Sequence, residues 1–192
     1  MDRREAITKV GWLLGGTIIG ANLFLEIGCS PSPDKAASAG SFFNADTIAL
    51  LDEMGETILP ATDTPGAKAS KIGEFMNVMV RDCYTPEDQK IFKDGLEKMD
   101  EQCNKEHGKS FMEATPAERT AFLTKMDAEQ KAYMKSKTPE QPSHHFRMLK
   151  ELTLLGFFTS EVGATKALRY IAIPGRYDGN VPYKKGDRAW AT

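Results

Sequence analysis

The chain has 192 residues, of which 27% are charged and 9% aromatic, and its formal net charge is −2. This composition is ordinary for a globular protein and excludes the strongly basic balance that is typical of nucleic-acid-binding proteins. If residues 1–28 are removed, three basic and three acidic residues leave together, so the net charge does not change. The remaining residues are numerous enough for one domain with a hydrophobic core.

The first 28 residues have the pattern of an export signal. Arg3 and Arg4 precede an apolar run over residues 10–25, as in twin-arginine signals, which direct folded proteins across the membrane. Four glycines and two polar residues interrupt the run, which makes it weaker than a membrane span of about 20 residues. We therefore predict a signal peptide over residues 1–28 and a periplasmic location, with an uncleaved anchor helix as the alternative.

The end of the signal offers two processing sites. Ile27-Gly28-Cys29 is similar to the end of a lipoprotein signal, and residues 29–41 have the composition of a flexible linker. Acyl chains on Cys29 would hold the protein at a membrane surface. Glu26 stands where lipoproteins usually carry an aliphatic residue, and Ala37-Ser38-Ala39 fits ordinary signal peptidase. Lipidation of Cys29 is the favoured prediction, and cleavage after Ala39 remains the alternative.

The apolar pattern of residues 42–192 predicts a single all-α domain, a compact irregular bundle of about five to six helices with an extended C-terminal tail. Thr-Pro pairs followed by acidic residues mark two helix starts. The predicted helices are, in chain order, residues 44–59 before Pro60, residues 72–83, a helix from Thr85 to Gly108, a helix from Thr115 through Tyr133, residues 146–158, and a short helix from Thr159 to Arg169.

Motifs for a bound cofactor are missing from the sequence. It has no glycine-rich dinucleotide fingerprint, no Cys-x-x-Cys-His haem motif and no four-cysteine run, so we predict no cofactor in this chain. Cys103 and His107 lie four residues apart, but nothing nearby completes a metal site. His144 and His145 are better explained as polar residues at a helix start or as interface contacts. Cys83 and Cys103 have three open roles: a mutual disulfide, a bridge to a partner, or small core residues.

Two segments stand out as candidate contact surfaces. Asp63 lies in a Thr-Asp-Thr-Pro-Gly loop, where it serves either as an acid or base or, more simply, as a turn residue beside Pro65 and Gly66. The tail from residue 171 is rich in aromatic side chains and lacks a helical period, so it either wraps its own domain or lies on another protein. Arginine and tyrosine are favoured interface anchors, and the tail region offers Arg169, Tyr170, Arg176, Tyr177, Tyr183 and Trp190, with Pro174 between them.

Two sequence stretches carry a family resemblance. Residues 57–67, Thr-Ile-Leu-Pro-Ala-Thr-Asp-Thr-Pro-Gly-Ala, resemble the hallmark stretch of the gluconate 2-dehydrogenase subunit 3 family. Residues 153–163, Thr-Leu-Leu-Gly-Phe-Phe-Thr-Ser-Glu-Val-Gly, are similar to the second signature of that family, together with residues 167–170 and 174–179. The resemblance extends over roughly residues 42–192.

The resemblance implies a non-catalytic small subunit of a periplasmic, membrane-associated sugar or sugar-acid dehydrogenase. In such complexes the large subunit is a glucose-methanol-choline (GMC) type flavoprotein that binds FAD, and a cytochrome c subunit often accepts the electrons. The small subunit supplies the twin-arginine signal and aids folding and export. The residues expected at the interface with the large subunit are Asp63, Pro65, Gly66, Arg169, Tyr170, Pro174, Arg176, Tyr177, Tyr183 and Trp190.

Two other functions stay open from the sequence. The first is a stand-alone periplasmic lipoprotein that binds a small ligand or an envelope partner. The second is an enzyme that uses Asp63 or the His144-His145 pair, which would need a concave pocket around those residues and shifted pKa values.

Overall fold

The computed structural model describes residues 41–173, 175–177 and 179–191. Within these residues the predicted all-α bundle is confirmed, since every regular element is helical and only an isolated β-bridge joins two extended residues. None of the described helices is both long enough and apolar enough to cross a membrane. The elements are α1 (Ala45–Ile58), a 3-10 segment (Ala67–Ser70), α2 (Ile72–Cys83), α3 (Pro86–His107), α4 (Pro116–Ser136), α5 (His145–Thr159) and a π-helical segment (Gly163–Ala167).

Side-chain caps define the helix starts that the sequence predicts. The Asn44 side chain accepts a hydrogen bond from the Thr47 N–H at 2.8 Å and begins α1. Thr85 begins α3, and Thr115 begins α4 in a reciprocal capping box with Glu118. Each cap satisfies an amide that has no partner inside its helix. Gly108 ends α3 with a φ of 68°, a left-handed conformation that costs glycine nothing.

The core surrounds α5, which packs against each of the other four α-helices. Phenylalanine and methionine provide much of its volume, together with a smaller number of leucines. The largest fully buried side chains are Leu51, Met54, Ile72, Met76, Phe92, Met99, Phe111, Phe122, Met126, Phe146, Leu149 and Phe157. Burial of each such side chain contributes about 1.5–3 kcal/mol.

Ile72 is fully buried between two helical glycines. A Cβ atom on Gly55 of α1 would lie 2.6 Å from Ile72 Cγ2, and one on Gly156 of α5 would lie 2.4 Å from Ile72 Cδ1. Because real Cβ atoms do not approach other heavy atoms so closely, both positions need glycine. The lack of side chains at Gly55 and Gly156 therefore allows α1 and α5 to pack closely against Ile72, the first residue of α2.

The end of the helical region differs from its prediction in one detail. Ser160 caps the predicted last segment, since its Oγ accepts the Gly163 N–H at 3.0 Å. The segment ends at Ala167 instead of Arg169, because the backbone of Arg169 pairs with the C-terminal tail.

The cysteines of the described residues are both free thiols. Cys103 is fully buried in the core, whereas Cys83 is exposed at the last residue of α2. The two do not pair in this structure, and of the three roles left open by the sequence, core packing is the one that Cys103 fills.

Asp127 joins α4 to α5 through ion pairs. Its carboxylate contacts Lys131 of its own helix at 2.6 Å and Lys150 of α5 at 2.7 Å. Hydrogen bonds from Lys131 and Lys150 lower the pKa of Asp127 to about 2. The charged carboxylate therefore contributes to the packing of α5 on α4.

Replacement of Gly55 by alanine tests the close approach at Ile72. An exposed Gly→Ala change in a helix raises the free energy of unfolding by roughly 0.4–1 kcal/mol, but here we expect a decrease of about 1–3 kcal/mol from overpacking. Ile72→Leu moves the methyl branch away from Gly55, so the double variant should lose less stability than the sum of the two single changes. Urea unfolding of all three variants measures the coupling, and strict additivity would contradict the contact.

The Asp127 ion pairs predict a specific pH dependence of stability. A folded-state pKa below the unfolded value of about 3.9 means that the stabilisation is complete above that pH and is lost as the pH falls toward about 2. Asp127→Asn should remove up to about 2 kcal/mol at neutral pH, less where solvent screens Lys131. The free energy of unfolding of Asp127→Asn, measured by urea unfolding, should also fall less steeply from pH 5 to 2 than that of wild type. Glu129→Gln, a change at an exposed acid on the same helix, is the control; equal slopes in wild type and Asp127→Asn would refute the assignment.

Candidate functional site

The 59–67 loop, which connects α1 to the 3-10 segment, is closed at its base. The Ala67 N–H donates to the Leu59 carbonyl at 2.9 Å, and the Thr62 N–H donates to the Thr64 carbonyl at 2.9 Å. Asp63 is exposed between these contacts. The loop therefore projects Asp63 from a hydrogen-bonded frame.

A carboxylate from α1 holds this frame in place. Glu56 accepts the Ala61 N–H on Oε1 and the Lys68 N–H on Oε2, both at 2.9 Å. A Cβ atom on Gly66 would lie 2.2 Å from Glu56 Oε1, so a larger residue there would displace the carboxylate from its present position. The side chain that binds these amides is thus Glu56, which the sequence interpretation of Asp63 as the turn residue missed.

Neighbouring carboxylates of α1 extend the same network. Glu53 forms ion pairs with Lys68 at 2.7 Å and with Arg119 of α4, and the Lys68 hydrogen bond, aided by Arg119, lowers the pKa of Glu53. Arg119 also donates to the carbonyls of Phe111 and Met112. Asp52, the residue before Glu53 in α1, accepts a hydrogen bond from the Gly73 N–H at the start of α2, at 2.8 Å. The loop is consequently tied to α1 and, through Glu53, to α4.

These contacts change the expected roles of two residues. Gly66 is buried, so it positions the loop and does not offer a contact surface; Pro65 is half-buried. The φ of Gly66 is −83°, so the backbone there does not need glycine, and the lack of a side chain matters because of the close approach of Glu56. Asp63 is left as the exposed contact candidate of this loop.

The C-terminal arm, residues 169–191, forms a second structure with its own closure. The Arg169 N–H donates to the Ala189 carbonyl and the Ala191 N–H donates to the Arg169 carbonyl, both at 2.8 Å. Arg169 also places its guanidinium carbon 4.4 Å from the centre of the Trp190 ring, a cation–π contact. Arg188 donates to the Lys166 carbonyl at 2.7 Å. We call these contacts the arm base. They place the last residues of the arm beside its first residue, Arg169.

Between the two sides of the base, the arm exposes large side chains. Ile173 is 84% exposed, Tyr177 96% and Tyr183 74%. Tyr170 and Arg176 are also exposed, whereas Pro174 lies outside the described residues, as do Arg3, Arg4 and Cys29. Of the two arrangements predicted for the tail, the described part closes on itself and leaves its aromatic side chains in solvent. Arg169 and Trp190 belong to the arm base.

The histidine pair is a structural feature of the α5 start. The His144 Nδ1 accepts the Phe146 N–H at 3.2 Å as the N-cap, which confirms the predicted helix-start role. Its ring stacks on His145 with centroids 4.2 Å apart. Burial, with smaller contributions from His144 and Lys98, lowers the pKa of His145 to about 4, so His145 is neutral at physiological pH.

Neither a metal site nor a groove supports a catalytic role for Asp63, His144 or His145 among the described residues. Among the described residues no group of three histidine, cysteine or acidic side chains is placed to hold a metal ion, and Cys103 with His107 does not form one. A groove of about 420 Å³ lies between α1 and α3, lined by Phe43, Leu50 and Leu96 among others. A second groove of about 260 Å³ lies between α4 and α5 near Asp127. Neither groove contains Asp63, His144 or His145.

Glu56→Gln tests the framework of the 59–67 loop. The amide keeps one acceptor but places an NH₂ group against a backbone N–H, so one of the two hydrogen bonds must break. We expect hydrogen exchange at the Ala61 or Lys68 amide to accelerate by roughly tenfold, since a lost hydrogen bond to a charged group corresponds to about 1.5–3 kcal/mol. Asp63→Asn should leave both rates unchanged. Unchanged exchange in Glu56→Gln would contradict the role of this carboxylate.

The sequence of the helical domain matches a known protein family. The family model described as gluconate 2-dehydrogenase subunit 3 matches residues 45–175. The match includes α1 to α5, the 59–67 loop and the start of the arm, and it confirms the resemblance of the two sequence stretches. No curated protein and no solved structure matches the chain. Because the family model covers more than half of the 192 residues, the chain belongs to the gluconate 2-dehydrogenase subunit 3 family.

Proposed function

We propose that this chain is a non-catalytic small subunit that escorts, exports and stabilises a periplasmic FAD-dependent dehydrogenase subunit of the GMC type. Membership of the family identifies a small subunit of a dehydrogenase complex. The proposal adds three points: the partner is a GMC-type flavoprotein, the substrate is oxidised on that partner, and this chain escorts it. FAD is bound by the large subunit in this proposal.

The exposed C-terminal arm is the observation that carries the proposal. Ile173, Tyr177 and Tyr183 project into solvent from a segment that is closed at its own base. Single exposed apolar residues are common on protein surfaces, but several large ones concentrated in one short segment favour a site of association. Tyrosine buries a large area at a small entropic cost because it has few rotatable bonds. The arm therefore has the composition and the closed geometry of a docking element.

The 59–67 loop supplies a second contact in this proposal. Its backbone is held by Glu56, and its exposed Asp63 offers a carboxylate at a fixed position. A carboxylate on a rigid frame loses little freedom on binding, which favours a specific hydrogen bond or ion pair to a partner. The loop would fix the orientation of the subunit, and the arm would contribute most of the buried apolar area.

The export part of the proposal depends on the N-terminal sequence. Arg3 and Arg4 would recruit the twin-arginine route, which accepts a partner that has already folded around its flavin. Acylation of Cys29 would then anchor the complex at the periplasmic face of the membrane. A chain that carries both features would deliver a signal-free large subunit and retain it at the membrane.

A mild-detergent pull-down of the full chain from membranes tests the proposal. We expect a larger chain in a one-to-one ratio and a flavin absorbance spectrum. The double variant Ile173→Ser/Tyr177→Ser should reduce the recovered flavin by at least about tenfold, since hot-spot side chains contribute ≥ 2 kcal/mol each. Val78→Ser/Met112→Ser, which replaces two exposed apolar residues of the body, is the matched control.

The outcomes separate the competing functions. A colourless chain recovered alone would overturn the subunit role and favour a stand-alone lipoprotein. Equal flavin recovery with both double variants would keep the subunit role but remove the arm from the interface.

A further inference from the structure

Charge is divided unevenly between the arm and the rest of the described domain. The arm, residues 169–191, contains five basic and two acidic residues, a net charge of +3, whereas residues 42–168 contain 16 basic and 21 acidic residues, a net charge of −5. The small net charge of the whole chain conceals this division. A basic segment attached to an acidic body is a directional electrostatic feature.

Two of the arm's cations occupy a fixed turn. The Lys184 N–H donates to the Asp187 carboxylate and the Asp187 N–H donates to the Lys184 carbonyl, both at 2.9 Å. Gly186 has a φ of 96°, which the turn requires and which glycine adopts without strain. Lys184 and Lys185 are therefore presented together, directly after the exposed Tyr183.

We infer that the arm binds an acidic face of the dehydrogenase subunit, where carboxylates flank an apolar recess that accepts Ile173, Tyr177 and Tyr183. This inference rests on the proposed function and names the chemistry of the partner surface. An acidic surface attracts the arm and is repelled by the acidic body of this chain. The opposed charges would orient the two subunits before contact, so that the arm meets the partner first.

The character of the arm favours a protein surface over anionic lipid. Three of its four exposed aromatic residues are tyrosines, whose hydroxyl groups need hydrogen-bond partners when they are buried. The fourth, Trp190, has its ring in contact with the Arg169 guanidinium at the arm base. Interfacial lipid-binding segments rely on tryptophan, phenylalanine and leucine that are free to enter the acyl boundary. The chain is also a subunit, which requires a surface for another protein.

A charge-reversal experiment tests this inference. The full chain is captured from detergent-solubilised membranes, and the flavin retained per chain is measured while the ionic strength of the wash is raised from about 50 to about 500 mM. Lys184→Glu/Lys185→Glu should retain at least about tenfold less flavin than wild type at the low ionic strength, and the difference should shrink at the high one because salt screens exposed charges. Lys90→Glu/Lys93→Glu, on the exposed surface of α3, makes the same change in net charge and should retain flavin as wild type does.

Each result has a definite meaning. Equal losses in both double variants, or a loss in Lys184→Glu/Lys185→Glu that salt does not reduce, would overturn the acidic partner face while the subunit role stands. If that variant retains its flavin but no longer binds vesicles of phosphatidylglycerol and phosphatidylethanolamine, the cations serve a membrane and the inference fails. A wild-type chain that retains no flavin at any ionic strength overturns the proposed function as well.

Discussion

Three carboxylates on α1 determine how the first half of this domain is assembled. Asp52 binds the first turn of α2, Glu53 binds Lys68 and Arg119, and Glu56 binds the amides of the 59–67 loop. Their charged oxygens replace the water that would otherwise solvate these backbone and cationic groups, and such charge-assisted hydrogen bonds are stronger than neutral ones. The 59–67 loop has its shape because α1 presents Glu56 in its last turn, and Asp52 and Glu53 hold the segments that follow the loop.

Much of the fold could be predicted from the sequence because its determinants are local. The Thr85 and Thr115 caps, the Gly108 stop and the apolar period of α2 depend on residues within a few positions of each other, and the structure confirms them. The need for glycine at positions 55 and 156 could not be predicted, because it arises from Ile72, which lies in a different helix from either. Cys83 follows the helical period of α2 but is exposed at the last residue of the helix, whereas Val80 in the same turn is buried.

Prediction of the candidate surfaces shows the same distinction between local and long-range determinants. Asp63 and the tail tyrosines could be selected by composition, and the structure places them in solvent. Glu56 could not be assigned, because its partners are backbone amides five and twelve residues away that carry no side-chain signature. The closure of the arm could not be predicted either, because the pairing of Arg169 with Ala189 and Ala191 leaves no periodic pattern in the sequence.

The self-contained base of the arm has an evolutionary consequence. The backbone pairing and the Arg169–Trp190 contact of this base involve only the arm, and Arg188 adds one hydrogen bond to the Lys166 carbonyl. Residues 176–191 lie beyond the part of the chain that the family model matches. Substitutions or insertions between residues 180 and 187 can therefore alter length, charge and side-chain shape without disturbing the packing of the helices around α5. A helical body under strong packing constraint and an outer arm under weaker constraint would allow the exposed surface of the arm to change while the scaffold is retained.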